Sequence, residues 1–343
     1  MKSTIKDVAK LAGVSFKTVS RVINNEDSVK PDTVARVRDA ITQLGYQPNN
    51  AARSLAGTRA YALGFIYNNP NAYYVIDMQR GILDECQEKG YELLIHPCEA
   101  DNAQVVDEIA KLVRRSQLSG LIICPPLSEN SELMDELAEL DIQFIRVVSG
   151  SDESTQHTPC VFIHDREAAF EITDNLIQMG HKKIAFISGE KDHNSTLERL
   201  AGYRQAMQQA GLSIEPEWEV DGRYAFDSGV SGAQQLLACP HPPTAIFGCN
   251  DEIAAGALFA ARLAGVNVPG QLSIAGFEDS PFSRQTLPKL TTAAQPTRQI
   301  ARQAASSLIR NIGVSRGQKG GGSMHQHFQP TLVLRDSTQP LQG

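Results

Sequence analysis

A cluster of polar and aromatic side chains near the N-terminus has the composition of a nucleic-acid contact. Its members recur at helical spacing, opposite a stripe of valine and isoleucine that can pack against other helices. Lysine and arginine donate to guanine, asparagine pairs with adenine, and an aromatic ring contacts the thymine methyl group. A helical hairpin that only packs against another element would explain the apolar stripe but not the polar face, so the pattern favours base recognition. The cluster comprises Phe16, Lys17, Ser20, Arg21 and Asn24.

A second group of polar and aromatic residues follows the predicted strands in the rest of the chain. Carboxylates and amides bind hydroxyl groups, and aromatic rings stack on the faces of sugars. The group therefore predicts a site for a polyhydroxyl ligand. Asp251 and Asp279 also follow strands, but we expect both to be ordinary helix caps or turn residues. The group comprises Asn68, Tyr73, Tyr74, Arg199, Asn250 and Glu278.

Three short helices are predicted to carry the N-terminal cluster. Thr4 begins the first helix with Asp7 as its capping-box partner, and Gly13 permits the tight turn that follows. Ser15 caps the second helix, which carries the cluster, and Pro31 opens the third. A helix, a glycine turn and a second helix at this spacing are typical of the helix-turn-helix motif.

From Tyr61 onward, short apolar runs alternate with helical segments, which is the pattern of parallel α/β folds. Leu63–Ile66 and Ile184–Ile187 resemble each other and each precedes a helix, which indicates two similar halves. We therefore expect a small all-α helix-turn-helix head and an α/β body of two doubly wound parallel-sheet lobes. Ligands of such sheets bind at the carboxyl ends of the strands. The predicted strands are residues 62–67, 91–96, 121–124, 144–148, 183–188, 244–249 and 272–276.

Charge is distributed unevenly along the 343 residues. Residues 1–60 contain ten Lys and Arg against five Asp and Glu, whereas the whole chain has a net charge of −7. A basic N-terminal region on an acidic body suits a nucleic-acid contact confined to one end. No apolar run is long enough to span a membrane, and the N-terminus does not have the pattern of a secretory signal. A cytoplasmic location without membrane association is therefore expected.

The sequence lacks the motifs of common enzyme classes. It has no G-x-S-x-G, no H-E-x-x-H and no dinucleotide fingerprint after the first strand. Its six cysteines are far apart, without a C-x-x-C pair, and we expect buried thiols rather than disulfides or zinc ligands. His325 and His327 alternate without further metal ligands nearby in the sequence. No catalytic residue, metal or cofactor is therefore predicted.

Four stretches, Thr4–Ala9, Ala12–Ser15, Thr18–Asn24 and Leu44–Asn49, continue into Ala51–Leu55 to make one extended motif. This motif resembles the N-terminal region of the lactose-repressor family of bacterial transcription regulators. The body that follows resembles periplasmic sugar-binding proteins, whose lobes close on a ligand. The resemblance implies a sequence-specific DNA-binding regulator whose operator affinity is set by a small molecule.

For DNA, the resemblance implies that Phe16 and Lys17 read bases in the major groove and that Arg21, further along the same helix, contributes to this contact. It also implies that residues 49–56 form a hinge helix ordered only on operator DNA, with Leu55 entering a central C-G step of the minor groove. A free helix this short is marginal in water, which fits folding coupled to DNA binding. The expected DNA contacts are Thr4, Ser15, Phe16, Lys17, Thr18, Ser20, Arg21, Asn24, Tyr46, Asn49, Ala52, Arg53 and Leu55.

For the effector, the resemblance supports Arg199, Asn250 and Glu278 as contacts and adds the aromatic ring of Tyr224. Glu278 replaces the aspartate that is usual in the family, and its extra methylene shifts the carboxylate. A sugar that releases the protein from its operator is the favoured effector. A purine-type co-repressor is the alternative, and a sugar-binding protein without a regulatory role is a third.

The resemblance also implies a domain organisation. Residues 1–48 are expected to form the DNA-binding domain, 49–60 the hinge and linker, and 61–343 the effector-binding and dimerisation domain. Within the last, lobe 1 is expected at about 61–161 and 292–323, and lobe 2 at about 162–291 and 324–343. A pseudo-palindromic operator mirrors a homodimer, and the C-terminal residues lack the leucine heptads through which some relatives form tetramers.

Overall fold

A computed structural model describes residues 3–23, 29–46, 61–150, 158–315 and 324–341. These residues belong to two compact units, Met1–Tyr61 and Ala62–Gly343. Among the helices in the described ranges, none combines the length and the apolar character needed to cross a lipid bilayer.

The N-terminal unit contains α1 (Ile5–Ala12), α2 (Phe16–Ile23) and α3 (Pro31–Leu44). The predicted capping box is confirmed, because the Thr4 amide donates to Asp7 Oδ2 at 2.8 Å while the Asp7 amide donates to Thr4 Oγ1. Gly13 ends α1 in the left-handed region, at φ 65°. The Ser15 hydroxyl accepts from the Thr18 amide at 3.2 Å, as expected of a cap. The core of the unit includes Val8, Val19 and Val37, all fully buried.

The second unit, the body, is built on two parallel sheets, and we call the part built on each sheet a lobe. The strands are β1 (Ala62–Tyr67), β2 (Glu92–Pro97), β3 (Gly120–Ile123), β4 (Phe144–Ser149), β5 (Cys160–Ile163), β6 (Ile184–Ile187), β7 (Glu219–Val220), β8 (Ala245–Gly248), β9 (Ser273–Ala275), β10 (Thr292–Ala294), β11 (His325–Phe328) and β12 (Thr331–Val333). In lobe 1 the strand order is β11-β5-β4-β3-β1-β2, and in lobe 2 it is β7-β6-β8-β9. The strands β10 and β12 form an antiparallel pair beside β9.

Helices cover both sheets, and their closest approaches are made at glycines. The helices are α4 (Ala72–Lys89), α5 (Val105–Ser116), α6 (Ser131–Glu139), α7 (Asp165–Gln178), α8 (Asn194–Gln209), α9 (Phe226–Ala238), α10 (Asp251–Leu263), α11 (Pro281–Gln285) and α12 (Thr297–Ser315). A Cβ on Gly81 would lie 2.2 Å from the Arg298 carbonyl oxygen, where α4 packs on α12. A Cβ on Gly202 would lie 2.2 Å from the Arg166 carbonyl oxygen, where α8 packs on α7.

The chain crosses between the lobes three times. β5 pairs with β4 through Ile163, so the first crossing lies within two residues of the expected limit at about residue 161. β10 lies beside β9 of lobe 2 through Ala294, so the return to lobe 1 follows residue 294 rather than 291. β11 pairs with β5 through Phe328, so residues 325–328 belong to lobe 1 and not, as expected, to lobe 2. In each case a strand completes its pairing before the chain leaves the lobe.

Candidate functional site

The second helix of the N-terminal unit presents its predicted DNA-reading residues to solvent. Val19 and Val22 are buried against the other helices, whereas Phe16, Lys17 and Arg21 are exposed. The Phe16 side chain is 55% exposed, which leaves its ring available for an external partner. Of the other predicted contacts, Thr4 and Ser15 are exposed, whereas Thr18, Ser20 and Tyr46 are half-buried. Asn24, Asn49, Ala52, Arg53 and Leu55, and with them the predicted hinge, lie outside the described residues.

A cleft of about 390 Å3, including its solvent-open part, lies between the two lobes at the carboxyl ends of their strands. Side chains from both lobes line it, as expected for ligands of doubly wound sheets. Lobe 1 contributes Asn69, Asn71, Tyr74, Pro125, Ser149 and Ile163, and lobe 2 with the adjoining crossing contributes Asp165, His193, Ser195, Arg199, Tyr224, Glu278 and Gln295.

The Arg199 guanidinium is the electrostatic centre of the cleft. It is buried, and its Nε donates to Asp165 Oδ1 at 2.8 Å. Its Nη1 donates to the Cys249 carbonyl at 2.8 Å and lies 3.4 Å from Glu278 Oε1. The guanidinium carbon lies 3.9 Å from the centre of the Phe277 ring, a cation–π contact. One cation therefore faces two carboxylates, so the centre favours hydrogen-bond donors over anions.

Glu278 joins the two lobes from a strained backbone position. Its φ is 99° and that of Asp279 is 56°, backbone conformations that residues other than glycine rarely adopt. Glu278 Oε2 accepts from Asn71 Nδ2 of lobe 1 at 2.6 Å. Burial raises the pKa of the Glu278 carboxyl, and the Arg199 charge partly offsets this effect. Backbone strain at a buried charged residue of this kind is common at ligand sites.

The same asparagine organises the lobe 1 wall of the cleft. Asn71 is the N-cap of α4, and its Oδ1 accepts from the Tyr73 and Tyr74 amides at 3.1 and 3.2 Å. The cap fixes the direction of α4 and so directs the Tyr74 side chain to the cleft. Because Asn71 also donates to Glu278, the start of α4 is coupled to lobe 2.

Two buried acceptor oxygens of the cleft have no hydrogen-bond partner among the described residues. They are Asp165 Oδ2 and Gln295 Oε1. Asp165 is fully buried, and its other oxygen is held by Arg199. Leaving a buried polar oxygen unpaired costs about 1–3 kcal/mol, so such atoms are normally satisfied by protein, water or ligand. A ligand that donates hydrogen bonds would satisfy both.

The carboxylate of Glu129 links the two lobes beside the cleft through hydrogen bonds. The half-buried Glu129 of lobe 1 accepts from the Ser149 amide at 3.0 Å and from the Asn194 amide of lobe 2 at 3.2 Å. Asn194 Nδ2 donates back to the Ser149 carbonyl at 2.8 Å. Burial raises the pKa of Glu129 to about 7, although both amide donors favour the charged form.

The cleft brings together four of the seven predicted effector residues, Tyr74, Arg199, Tyr224 and Glu278. Tyr73 lines an adjoining cavity that shares Tyr74, Glu278 and Gln295 with the cleft. Asn68 and Asn250 line neither of these cavities. Asn250 is fully buried, and its Oδ1 accepts from the Ile253 amide at 2.9 Å as the N-cap of α10.

Asp251 begins α10 and Asp279 lies in the turn before α11, as expected, but both carboxylates also bond to distant segments. Asp251 is buried and accepts from Thr292 Oγ1 at 2.6 Å and from the Ser280 amide at 2.7 Å. Asp279 accepts from Arg335 at 2.6 Å, which ties the loop after β9 to the segment after β12. Both carboxylates therefore fix the strained segment that presents Glu278.

Sequence reasoning missed several lining residues, among them Asn71, Asp165 and Ser195. Asn71 has a recognisable signal, because it is an asparagine in N-cap position shortly after a predicted strand. Asp165 follows the apolar run of β5, which was not predicted as a strand. No local pattern identifies Ser195, which reaches the cleft only because α8 points its first turn there and its hydroxyl lies 3.0 Å from that of Tyr224.

Comparison with known proteins agrees with this geometry. Residues 4–49 match the family described as bacterial regulatory proteins, lacI family, and residues 173–338 match the periplasmic binding protein-like domain. The chain is 34% identical to catabolite control protein A of Priestia megaterium, over 90% of this chain and 92% of that one. It is also 34% identical to the HTH-type transcriptional repressor PurR of Haemophilus influenzae (strain PittEE), over 99% of both chains.

Solved structures show the same similarity. The lac repressor bound to ONPG in the repressed state superposes with a TM-score of 0.75 at 26% identity, over 98% of this chain and 100% of that one. A complex of the transcriptional regulator CelR with cellobiose gives a TM-score of 0.72 at 26% identity, over 98% and 100% of the two chains. The full-length relatives are regulators rather than catalysts. The chain therefore belongs to the lacI family of bacterial regulatory proteins and is a DNA-binding transcriptional repressor, not an enzyme.

Proposed function

We propose that the protein represses genes of carbohydrate utilisation and is released from its operator by a small, uncharged sugar bound between the lobes. The pair of unpartnered acceptors, Asp165 Oδ2 and Gln295 Oε1, is the observation that carries the proposal. A sugar hydroxyl donates to such an oxygen and accepts from groups such as Asn69 or Ser195. The cellobiose complex of CelR shows that a relative of the same fold binds a sugar.

The charge of the cleft favours an uncharged effector over an anionic one. Arg199 is already paired with Asp165 and lies near Glu278, so the three groups carry a net negative charge when both carboxylates are ionised. A phosphorylated or carboxylated ligand would meet this charge without a free cation among the described lining residues to balance it. A neutral sugar pays no such electrostatic cost.

A flat heterocyclic base that acts as a co-repressor is the second candidate. The rings of Tyr74 and Tyr224 both line the cleft, and aromatic rings stack on planar ligands. The two candidates differ in the sign of their effect, since a sugar inducer weakens operator binding and a co-repressor strengthens it.

For DNA we propose a homodimer on a pseudo-palindromic operator with a central C-G step. Residues 1–48 would carry the base-reading helix, 49–60 the hinge and 61–343 the effector-binding body. The exposed Phe16, Lys17 and Arg21 side chains support major-groove contact by α2. The remaining proposed DNA contacts are the other residues of the family motif, Thr4, Ser15, Thr18, Ser20, Asn24, Tyr46, Asn49, Ala52, Arg53 and Leu55.

A calorimetric screen tests the effector class. Neutral mono- and disaccharides, their phosphates and purine bases are titrated into the full-length protein. We expect a neutral sugar to bind and its phosphate to bind at least tenfold more weakly. Glu278→Gln should weaken that binding, whereas Glu136→Gln, which changes an exposed carboxylate on α6, should not. Tight binding of a purine with no response to any sugar would overturn the carbohydrate assignment.

A further inference from the structure

A histidine, a cysteine and a glutamate converge at the edge of the lobe 1 sheet, and none of them lines the cleft. His96 lies in the edge strand β2, Cys98 follows that strand, and Glu108 lies in the first turn of α5. One potential ligand atom from each residue lies within 4.8 Å of the other two. No sequence pattern indicates this cluster, because Glu108 is ten residues beyond Cys98 and no Cys-x-x-Cys motif is present.

Local structure explains why the three side chains meet. His96 and Cys98 are two residues apart on extended backbone and therefore point to the same side. The Cys98 amide donates to the Tyr67 carbonyl at 2.9 Å, which keeps the chain beside β1 beyond the end of β2. His96 Nε2 lies 2.7 Å and Cys98 Sγ 3.9 Å from the same oxygen, Glu108 Oε1.

The loop between β2 and α5 holds the glutamate in place. Asn102 Nδ2 donates to Glu108 Oε2 at 3.1 Å, and Asn102 Oδ1 accepts from the Gln104 amide at 3.0 Å. One oxygen of Glu108 is thus oriented by the loop while the other faces His96 and Cys98. Outer hydrogen bonds of this kind orient carboxylates that ligate metals.

We propose that His96, Cys98 and Glu108 bind one Zn2+ ion. Imidazole nitrogen, thiolate sulfur and carboxylate oxygen are the donors that Zn2+ takes in proteins, whereas Ca2+ and Mg2+ prefer oxygen alone. Zn2+–ligand distances of about 2.0–2.3 Å put tetrahedral ligand atoms roughly 3.3–3.7 Å apart. The three ligand atoms lie within 4.8 Å of one another, so changes of at most about 1 Å in their separations would form the site. The His96 and Glu108 side chains are 26% and 36% exposed, which gives the ion access and leaves water the fourth position. The bound ion would tie the end of β2 to α5.

The test uses full-length, untagged protein freed of metal with a chelator. Zn2+ is titrated in competition with a chromophoric chelator, and Co2+ is added separately as a spectroscopic probe. We expect one equivalent of Zn2+ to bind, with a cobalt–thiolate charge-transfer band from Cys98. Cys98→Ser should abolish that band and weaken Zn2+ binding at least tenfold, and His96→Gln should weaken it similarly. Cys239→Ser, which changes a half-buried thiol outside the cluster, should do neither.

Thermal unfolding separates a metal site from a hydrogen-bonded cluster. Zn2+ should raise the melting temperature of the wild type and of Cys239→Ser, but not that of His96→Gln, whose substitution lies at a partly exposed side chain. The absence of stoichiometric Zn2+ binding would overturn the proposal. So would equal Zn2+ affinity in the wild type, Cys98→Ser and His96→Gln.

Discussion

Replacing Arg199 with methionine should destabilise lobe 2 through charge rather than through lost volume. Methionine retains much of the side-chain length but leaves Asp165 and Glu278 without the cation between them. It also removes three hydrogen bonds, to Asp165, to the Cys249 carbonyl and to Glu278, and the contact with Phe277. Removing one partner of a buried ion pair costs about 3–5 kcal/mol, because the other charge stays buried.

The single tryptophan makes this loss measurable. Trp218 is buried in the lobe 2 core, and its indole donates to the His241 carbonyl at 2.9 Å, so its fluorescence reports the unfolding of lobe 2. Urea unfolding of Arg199→Met should show a free energy of unfolding about 3–5 kcal/mol below that of the wild type. The melting temperature should fall by roughly 10 °C.

A double variant distinguishes the electrostatic cause. Arg199→Met combined with Asp165→Asn removes both members of the closest pair, and it should recover at least about 1 kcal/mol relative to the sum of the single losses. Strict additivity of the two substitutions would refute the reasoning. So would a loss below about 1 kcal/mol for Arg199→Met alone, since an uncompensated buried carboxylate costs more than that.

Three further predictions concern other parts of the molecule. Lys17→Ala should weaken operator binding by about 1–3 kcal/mol in fluorescence anisotropy, because the exposed lysine is proposed to read bases, whereas Lys10→Ala on α1 should change it less. Burial raises the pKa of Glu129 from 4.5 to about 7, so the folded state keeps a proton that the unfolded chain releases. Its contribution to the free energy of unfolding therefore falls between pH 4.5 and 7, by at most about 3 kcal/mol, and Glu129→Gln should lack this slope in pH-dependent urea titrations. Gly81→Ala should lower stability by about 1–3 kcal/mol, because the new Cβ would lie 2.2 Å from the Arg298 carbonyl oxygen, and wild-type stability would contradict the α4–α12 packing.

The strands that were predictable are apolar runs, most of which lie inside a sheet. The seven predicted strands lie within one residue of the observed bounds at each end, because parallel strands are short and rich in apolar residues. Position in the sheet does not alone decide the outcome, since the edge strand β2 was predicted and the buried interior strand β5 was missed. β11 (His325–Phe328) is an edge strand of mixed polarity, and β10 and β12 are three-residue strands. Such strands are defined by their partners rather than by composition, which is why the expected lobe limits near residues 291 and 323 fell short.

Some features of the candidate site could likewise be predicted from the sequence, whereas others depend on contacts between distant segments. Tyr74, Arg199 and Glu278 were predictable because they follow recognisable strands or match a family motif. Asn250 fits both a ligand contact and a helix cap, and only the structure shows its oxygen bonded to the Ile253 amide. The strained φ of Glu278 is equally invisible in the sequence, because it results from contacts that Asp251 and Asp279 make with distant segments.

The central claim is that a ligand between the lobes controls operator binding. An operator is first selected from random DNA, and its affinity for the protein is then measured by fluorescence anisotropy with and without the sugar found by calorimetry. A ligand that shifts a two-state equilibrium must bind one state more tightly, so we expect the sugar to weaken operator binding at least tenfold. Glu278→Gln should bind the operator as the wild type does but lose this response. An operator affinity unaffected by a bound sugar, or a full response in Glu278→Gln, would contradict the account.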